Sequence, residues 1–231
     1  MRIGIDLGGT KIEGVVVDQQ GACRDRRRVP TPAGDYAATL DTVARLVTDL
    51  ERGCAARCRV GVGTPGAISP VTGLLRNANS TCLNGRPLDR DLSDRLQREV
   101  RIANDANCFA LSEATDGAGR DADSVFGVIV GTGTGGGLVI NGRLLVGRNA
   151  IAGEWGHNPL PWPLDDERPG PGRYVNRRGV VADEQVAAAV SVQVDVEPGG
   201  PVYRDFIDPV AVEVACQRSV AHGPEPIDHV A

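Results

Sequence analysis

The chain opens with apolar residues at alternate positions, Ile3 and Ile5, which is the two-residue period of a β-strand. Ile3 and Ile5 lie on one face of a short strand, residues 12–17 continue as a second strand, and residues 24–29, which are mostly charged, are predicted as a third strand. Short turns that contain glycine separate these runs, so consecutive strands are expected to pair with each other. The pattern therefore predicts a three-stranded meander.

After the meander, segments with a helical period alternate with short apolar runs. Residues 35–52 place apolar side chains on one side of a helix, and residues 88–98 form a second helix with acidic residues in its first turn. The runs at residues 59–63 and 100–103 are predicted as buried strands. The order meander, helix, strand, helix, strand, helix is typical of a ribonuclease-H-like α/β domain.

The last strand of this series runs into a polar segment that begins with Asn104 and Asp105. Asn or Asp is a good N-cap, so this segment is predicted to cap a helix from about Cys108 to Thr115. A carboxylate at a strand–helix junction is also the usual place for a functional residue in an α/β sheet. Helix capping and catalysis are therefore the two interpretations of Asp105.

The turn between the first two strands combines groups that suit a phosphate. Asp6 is followed by Gly8, Gly9, Thr10 and the single lysine of the chain, Lys11. Glycines without a Cβ allow backbone N–H groups to converge on an anion. A purely structural Gly-Gly turn is the alternative interpretation.

A second glycine-rich segment, residues 131–137, lies between apolar runs at residues 125–130 and 138–140. Asn141 and Gly142 then predict a hairpin turn into residues 143–146. Ordering five glycines costs more conformational entropy than a structural turn requires, which favours close approach of the backbone to a ligand. Neither glycine segment matches the P-loop or the dinucleotide-binding pattern. The two segments predict a nucleotide held between two lobes.

The composition narrows the class of protein. The chain has 231 residues, a net charge of −5 and 41% hydrophobic residues, as expected of a soluble globular protein without a nucleic-acid-binding surface. No leader or membrane-length apolar run is visible in the sequence, so we expect a cytoplasmic location and no membrane partner. The six cysteines are expected to be reduced and buried. Cys54 and Cys58 are predicted to share a helix face, with too few ligands for a metal.

Several of these segments together resemble the ROK family of sugar kinases, in the superfamily of actin and hexokinase. The matching segments are residues 6–11, 64–66, 77–81, 104–107, 131–137 and 153–162. The resemblance implies an α/β, actin/hexokinase-like two-lobe ATPase fold with an incomplete second lobe. Its expected domains are residues 1–116, with the first phosphate loop and catalytic Asp, residues 117–166, which begin the second lobe, and a divergent tail at residues 167–231.

The resemblance also implies roles for individual residues. Asp105 would be the general base that takes a proton from the sugar hydroxyl. Asp6 would lie near Mg²⁺. The ATP phosphates would be held by Asp6, Gly8, Gly9, Thr10, Lys11, Gly131, Thr132, Gly133, Thr134 and Gly135. The sugar would be held by Gly66, Asn79, Asn104, Glu154 and His157.

The expected activity is an ATP-dependent hexose kinase. Residues 77–87 and 154–162 most resemble the bacterial fructokinase (manno-fructokinase) branch, which implies phosphorylation of the 6-hydroxyl of fructose. Glucose, mannose and N-acetyl hexosamines are the alternative substrates. A non-catalytic sugar-binding remnant is an alternative of another class. A sugar-responsive regulator is disfavoured because the chain starts at the first kinase strand. Family members are often homodimers.

The sequence departs from the family after about Asp166. Family members bind a structural Zn²⁺ through a histidine equivalent to His157 and three cysteines, but residues 172–183 contain no cysteine. Zinc is therefore expected to be absent. No leucine follows Leu164, fourteen valines occur in the last 67 residues, and helical spacing is confined to residues 184–190. These features favour a frameshifted tail over a truncated paralogue, and they predict poor packing from about Glu167 and little or no turnover.

Overall fold

The opening meander belongs to a five-stranded mixed sheet. The computed structural model describes residues 1–130 and 134–156 and the backbone of residues 186–191. Strands β1 (Arg2–Leu7), β2 (Lys11–Val17) and β3 (Cys23–Pro30) pair antiparallel, and β4 (Arg59–Thr64) and β7 (Val100–Asn104) run parallel to β1. The strand order is β3-β2-β1-β4-β7. This arrangement confirms the predicted meander and the ribonuclease-H-like order of elements.

Two helices bury one face of this sheet. Helix α1 (Tyr36–Cys54) begins after Asp35, whose carboxylate accepts a hydrogen bond from the N–H of Ala38. Helix α2 (Leu88–Leu96) ends two residues earlier than predicted, because Gln97 takes a left-handed conformation with φ 50°. The largest fully buried side chains of this core come from the sheet, the two helices and the connecting segment, and they include Ile3, Ile5, Leu7, Ile12, Leu50, Leu75, Leu83, Leu88 and Leu92.

Between β4 and α2 the chain forms elements that the apolar pattern did not predict. Strands β5 (Ala67–Ile68) and β6 (Leu75–Arg76) make a two-stranded hairpin, and a 3-10 turn covers Thr81–Leu83. Both strands are two residues long, which is too short for a hydrophobic period to be recognised. The hairpin leads directly into the segment at residues 77–81.

Helix α3 (Asp105–Thr115) connects the first sheet to the second. It begins three residues before the predicted Cys108, immediately at the end of β7, because Asn104 is its N-cap. The helix packs mainly against β8 (Ser124–Val130) and β9 (Thr134–Ile140). Its first turn therefore lies where the two sheets meet.

The second sheet is antiparallel and adds β10 (Arg143–Leu144) and β11 (Val186–Ser191) to β8 and β9, in the order β10-β9-β8-β11. Residues 134–137, predicted as part of a loop, belong to β9, and β10 (Arg143–Leu144) is shorter than the predicted residues 143–146. Strand β11 (Val186–Ser191) corrects the helical interpretation of residues 184–190, because its backbone pairs with β8 along the whole strand. It is the part of the tail that the structure describes.

Candidate active site

Asp105 lies at the junction of β7 and α3, and capping of that helix is performed by its neighbour. The Asn104 side-chain oxygen accepts the N–H of Asn107 at 3.1 Å, whereas Asp105 is the first helical residue and its Oδ1 accepts the N–H of Ala106 at 2.9 Å. The helix therefore has its N-cap without Asp105. Capping cannot explain a carboxylate at this position.

The surroundings of Asp105 disfavour its ionised form. Burial raises the pKa of Asp105 from an ordinary value of 3.8 to about 6, and the negative charges of Asp6 and Glu154 act in the same direction. The hydrogen bond from the N–H of Ala106 opposes them. The side chain nevertheless keeps a partial opening to solvent. Carboxylates of β1 and of the segment after β10 are thus near enough to act electrostatically on the carboxylate of α3.

The first glycine turn is braced by its own backbone and by Thr31. The N–H of Gly8 donates to the carbonyl of Lys11 at 3.1 Å, and a Cβ at Gly8 would lie 2.9 Å from that oxygen. Thr31 donates its hydroxyl to the Gly8 carbonyl at 2.8 Å and its N–H to the Thr10 carbonyl at 3.1 Å. Gly8 therefore closes the turn with its amide, while Gly9 and Thr10 are exposed.

The glycines of the second segment have a packing role that the sequence interpretation missed. A Cβ at Gly137 would lie 2.8 Å from the carbonyl oxygen of Ala106, and one at Gly136 would lie 2.6 Å from the carbonyl oxygen of Gly153. A Cβ at Gly135 would have more space, since it would lie 3.3 Å from the Cβ of Ala106. These glycines let β9 approach α3 and the segment after β10. Gly131, Thr132 and Gly133 lie outside the described residues, and Thr134 is described through its backbone alone.

Gly66 is fixed by its contacts with the β5–β6 hairpin and with Asn104. Its φ is +88°, and a Cβ would meet the carbonyl oxygen of Arg76 and lie 2.8 Å from the amide nitrogen of Ala78. The side-chain amide of Asn104 donates to the Gly66 carbonyl at 3.0 Å. Asn104 therefore joins the end of β7 to the turn after β4.

The segment that carries Asn79 is held by Asn84, a residue that the sequence analysis did not single out. Its side chain accepts the N–H of Ala78 at 2.9 Å and donates to the carbonyl of Ala78 at 3.0 Å. Asn79 itself is exposed, and the next residue, Ser80, lies against the first glycine turn, 3.4 Å from a Cβ built on Gly9. The paired amide contacts are a tertiary feature without a sequence signal.

Glu154 reaches the site on a segment anchored by Trp155. The indole N–H of Trp155 donates to the carbonyl of Gly135 at 2.9 Å, and the carboxylate of Glu154 accepts the N–H of Gly156 at 3.2 Å. Glu154 is exposed. His157 lies outside the described residues. Among the residues that the structure describes, there is no group of three potential metal ligands.

The two sheets, with α3 between them, define an actin/hexokinase-like α/β protein. The solved structure of the ROK hexokinase from Thermus thermophilus matches with a TM-score of 0.62 and 32% identity, over 75% of this chain and 57% of that one. A ROK family glucokinase from Streptomyces griseus, solved in complex with glucose and AMPPNP, matches with a TM-score of 0.61 and 32% identity, over 69% and 50% of the two chains. The fold class expected from the sequence is confirmed.

The chain belongs to the ROK family, whose model matches residues 2–178. It is 46% identical over 157 residues to the N-acetylgalactosamine kinase of Shewanella sp. This alignment covers 68% of this chain and 51% of that protein. It is 50% identical over 161 residues to the N-acetyl-D-glucosamine kinase of Pectobacterium atrosepticum. That alignment covers 70% of this chain and 53% of the relative. The chain thus spans about half the length of these relatives. Within the described residues no helix is long and apolar enough to cross a membrane.

Proposed function

We propose that this chain carries the sugar-binding and proton-transfer part of an ATP-dependent N-acetylhexosamine kinase. The observation that carries the proposal is Asp105, placed at the start of α3 without a capping role and with its pKa raised to about 6. The sugar class rests on relatives 46% and 50% identical that act on N-acetylgalactosamine and N-acetyl-D-glucosamine. These relatives do not support the fructose specificity inferred from the sequence.

Asp105 would act as the general base. A base with a pKa near 6 is ionised at neutral pH and still has affinity for a proton from the attacking sugar hydroxyl. Its fixed position in the first turn of α3 would hold the carboxylate in one orientation towards that hydroxyl. Positioning and charge neutralisation are the main requirements that phosphoryl transfer places on a protein.

The sugar would lie between the Gly66 turn, the 77–81 segment and the Glu154 segment. Asn104 uses one N–H on Gly66 and one oxygen lone pair on Asn107, so its amide retains one donor and one lone pair for sugar hydroxyls. Asn79 and Glu154 are exposed and available for further hydrogen bonds. His157, outside the described residues, would complete this set by resemblance.

The phosphates of ATP, as co-substrate, would be held by the exposed Gly9 and Thr10 and by Lys11. The carboxylates of Asp6 and Asp105 repel each other, which suits a site completed by a divalent cation. Mg²⁺ bound near Asp6 would neutralise charge on the transferred phosphoryl group. Gly131, Thr132, Gly133, Thr134 and Gly135 belong to the same proposal through their backbones, and Gly8 belongs to it by closing the turn that presents Gly9 and Thr10.

Turnover with MgATP tests the reaction. N-acetylglucosamine, N-acetylgalactosamine, glucose, mannose and fructose would be compared by detecting the 6-phosphate by NMR. We expect the N-acetyl sugars to be the best substrates, with turnover low in absolute terms and reduced about 10²–10⁴-fold by Asp105→Asn. Asp121→Asn is the matched control, because the Asp121 side chain is 90% exposed. Turnover unaffected by Asp105→Asn would rule out the base assignment, and a preference for fructose would rule out the sugar class.

A measurement of sugar binding, compared with turnover, distinguishes a kinase from a non-catalytic sugar-binding protein. Trp155 is fixed beside Glu154 through Gly135, so its fluorescence should respond to sugar in a Trp162→Phe background. We expect N-acetylglucosamine to change the emission with nearly equal affinity for the parent and for Asp105→Asn. Binding without any Asp105-dependent turnover would assign the chain to the non-catalytic class.

A further inference from the structure

Two thiols meet at the connection between α1 and β4, away from the candidate active site. Cys54 is the last residue of α1 and Cys58 immediately precedes β4, which corrects the expectation that both lie on one helix. Their sulfur atoms are 3.8 Å apart, and each lies 3.6 Å from the carbonyl oxygen of Ala56. The two thiols therefore point to the same side of a tight turn.

The backbone conformation of this turn brings the thiols together. Ala55 takes a left-handed conformation with φ 51°, which reverses the chain directly after the helix. Glu51 accepts the N–H of Cys58 at 2.6 Å, and Arg98 donates to the carbonyl of Cys58 at 2.8 Å and to both oxygens of Glu51. Cys58 is thus held on both sides of its backbone, which keeps its sulfur beside that of Cys54.

The two thiols differ in accessibility. Cys54 is partly exposed, whereas Cys58 is buried in the core and burial raises its pKa to about 11. A reagent in solution therefore meets Cys54 first, and Cys58 is mostly protonated at neutral pH. Cys23 is exposed and Cys82 is partly exposed, which makes them internal comparisons for a single thiol.

We propose that Cys54 and Cys58 are a redox modification site. A low-molecular-weight disulfide, such as glutathione disulfide, oxidises them to a reversible intramolecular disulfide. The Cys54 thiolate attacks the oxidant and forms a mixed disulfide, releasing one glutathione thiol. The Cys58 sulfur, after losing its proton to solvent, then attacks the Cys54 sulfur and releases the second glutathione. Both cysteines are oxidised and one glutathione disulfide is reduced to two thiols.

The movement that this reaction requires is small. The sulfur atoms must close from 3.8 Å to about 2.05 Å, a change that side-chain rotation in an exposed turn can supply. The bond would close a short loop at the amino end of β4. Gly66 follows the carboxyl end of that strand, roughly 20 Å away for six residues of strand. The disulfide should therefore raise thermal stability and leave sugar binding unchanged.

Mass spectrometry of the full chain tests the proposal. After incubation with glutathione disulfide at pH 8 and alkylation of the remaining thiols, we expect a loss of two hydrogens and alkylation of four of the six cysteines. Trypsin cleaves after Arg52, Arg57 and Arg59, so the disulfide would join two separate peptides, residues 53–57 and 58–59. Dithiothreitol should restore six alkylated cysteines, and the melting temperature of the oxidised chain should be a few degrees higher.

Three variants make the result specific. Cys58→Ser should accumulate a stable glutathione adduct on Cys54, Cys54→Ser should form no intramolecular disulfide, and Cys23→Ser should behave as the parent. A linked 53–57/58–59 peptide in the parent supports the proposal. A persistent glutathione adduct on Cys54 of the parent, Cys54 linked to a different cysteine, or six alkylated cysteines after oxidation would each overturn it.

Discussion

At the scale of single residues, Asp105 acquires its properties from the adjacent Asn104 and from two carboxylates that are distant in the chain. Asn104 takes over the capping of α3, and the charges of Asp6 and Glu154 add to burial in raising the pKa of Asp105. A carboxylate that is costly to ionise at this position is better explained by function than by stability, because perturbed pKa values cluster at functional sites. Two predictions follow from this electrostatic setting.

Turnover should depend on pH through Asp105. The general base acts when ionised, so turnover should rise by roughly tenfold per pH unit below about pH 6 and become constant above it. The measurement is initial rate against pH at saturating N-acetylglucosamine and MgATP. The residual rate of Asp105→Asn should lack this rise. A rate that is independent of pH between 5 and 7 would contradict the assignment of Asp105 as the base.

Asp105→Asn should stabilise the fold at pH 8. The folded-state pKa of about 6 lies above the ordinary 3.8, so the stabilising contribution of the protonated form is complete below about pH 4 and is lost as pH rises through 6. The neutral amide avoids that loss and should increase the free energy of unfolding by about 1–3 kcal/mol at pH 8. Urea unfolding at pH 8 and pH 4 measures the difference, which should be much smaller at pH 4. Equal destabilisation at both values would contradict the electrostatic argument.

At the scale of secondary-structure elements, glycines determine how closely α3 approaches the second sheet. Gly127 of β8 and Gly137 of β9 face Ala110 and Ala106 of α3, and a Cβ at Gly127 would lie 2.7 Å from the Cβ of Ala110. These contacts hold the helix that carries Asp105 against both strands. The glycine-rich strand is therefore a packing surface as well as the continuation of a candidate phosphate segment.

Gly137→Ala and Gly53→Ala should have opposite effects. The new methyl group at residue 137 would lie 2.8 Å from the Ala106 carbonyl oxygen and 3.0 Å from the Cα of Asn107, which are backbone atoms, so we expect a loss of about 1–3 kcal/mol in the free energy of unfolding. At exposed Gly53, within α1, the near atoms are the flexible ends of Asp25 and Arg27, so alanine should add about 0.5–1 kcal/mol. Thermal and urea unfolding of the two variants measure both changes in the free energy of unfolding. A neutral Gly137→Ala would contradict the packing role.

At the scale of the whole molecule, two sheets are joined through α3 and the tail contributes a strand. Strand β11 pairs with β8 in full register from Val186 opposite Val130 to Ser191 opposite Val125. β8 would otherwise present its backbone hydrogen-bonding groups at an open edge of the second sheet. The backbone of these six residues is paired, and the expectation of poor packing from about Glu167 stays a prediction for side chains and for the rest of the tail, which lie outside the described residues.

Hydrogen exchange should reveal β11. Amides in the peptide that covers residues 186–191 should exchange far more slowly than an unstructured peptide, because antiparallel pairing occupies alternate N–H groups. Ala188→Pro removes an N–H from the middle of the strand and should abolish this protection, whereas Ala188→Ser should retain it. Protection of β1 should be the same in all three chains. Exchange of residues 186–191 at unstructured rates in the parent would show that β11 does not form.

The sequence by itself determined the elements whose residues carry a local signal. The alternating run of β1, the helical period of α1 and the polar residues at the end of β7 each follow from burial of one face or from capping, and all three elements are present in the structure. The family and the position of Asp105 at a strand–helix junction could be read in the same way, because the motifs are contiguous.

Only the tertiary structure decided which distant groups meet. The bracing of Gly8 by Thr31 and the effect of Asp6 and Glu154 on Asp105 join separate segments, and the pairing of Asn84 with Ala78 depends on how one loop folds back on itself. The glycines of β9 illustrate the physical reason. A missing Cβ permits close approach of any atom, and whether that atom belongs to a ligand or to a helix such as α3 depends on long-range packing.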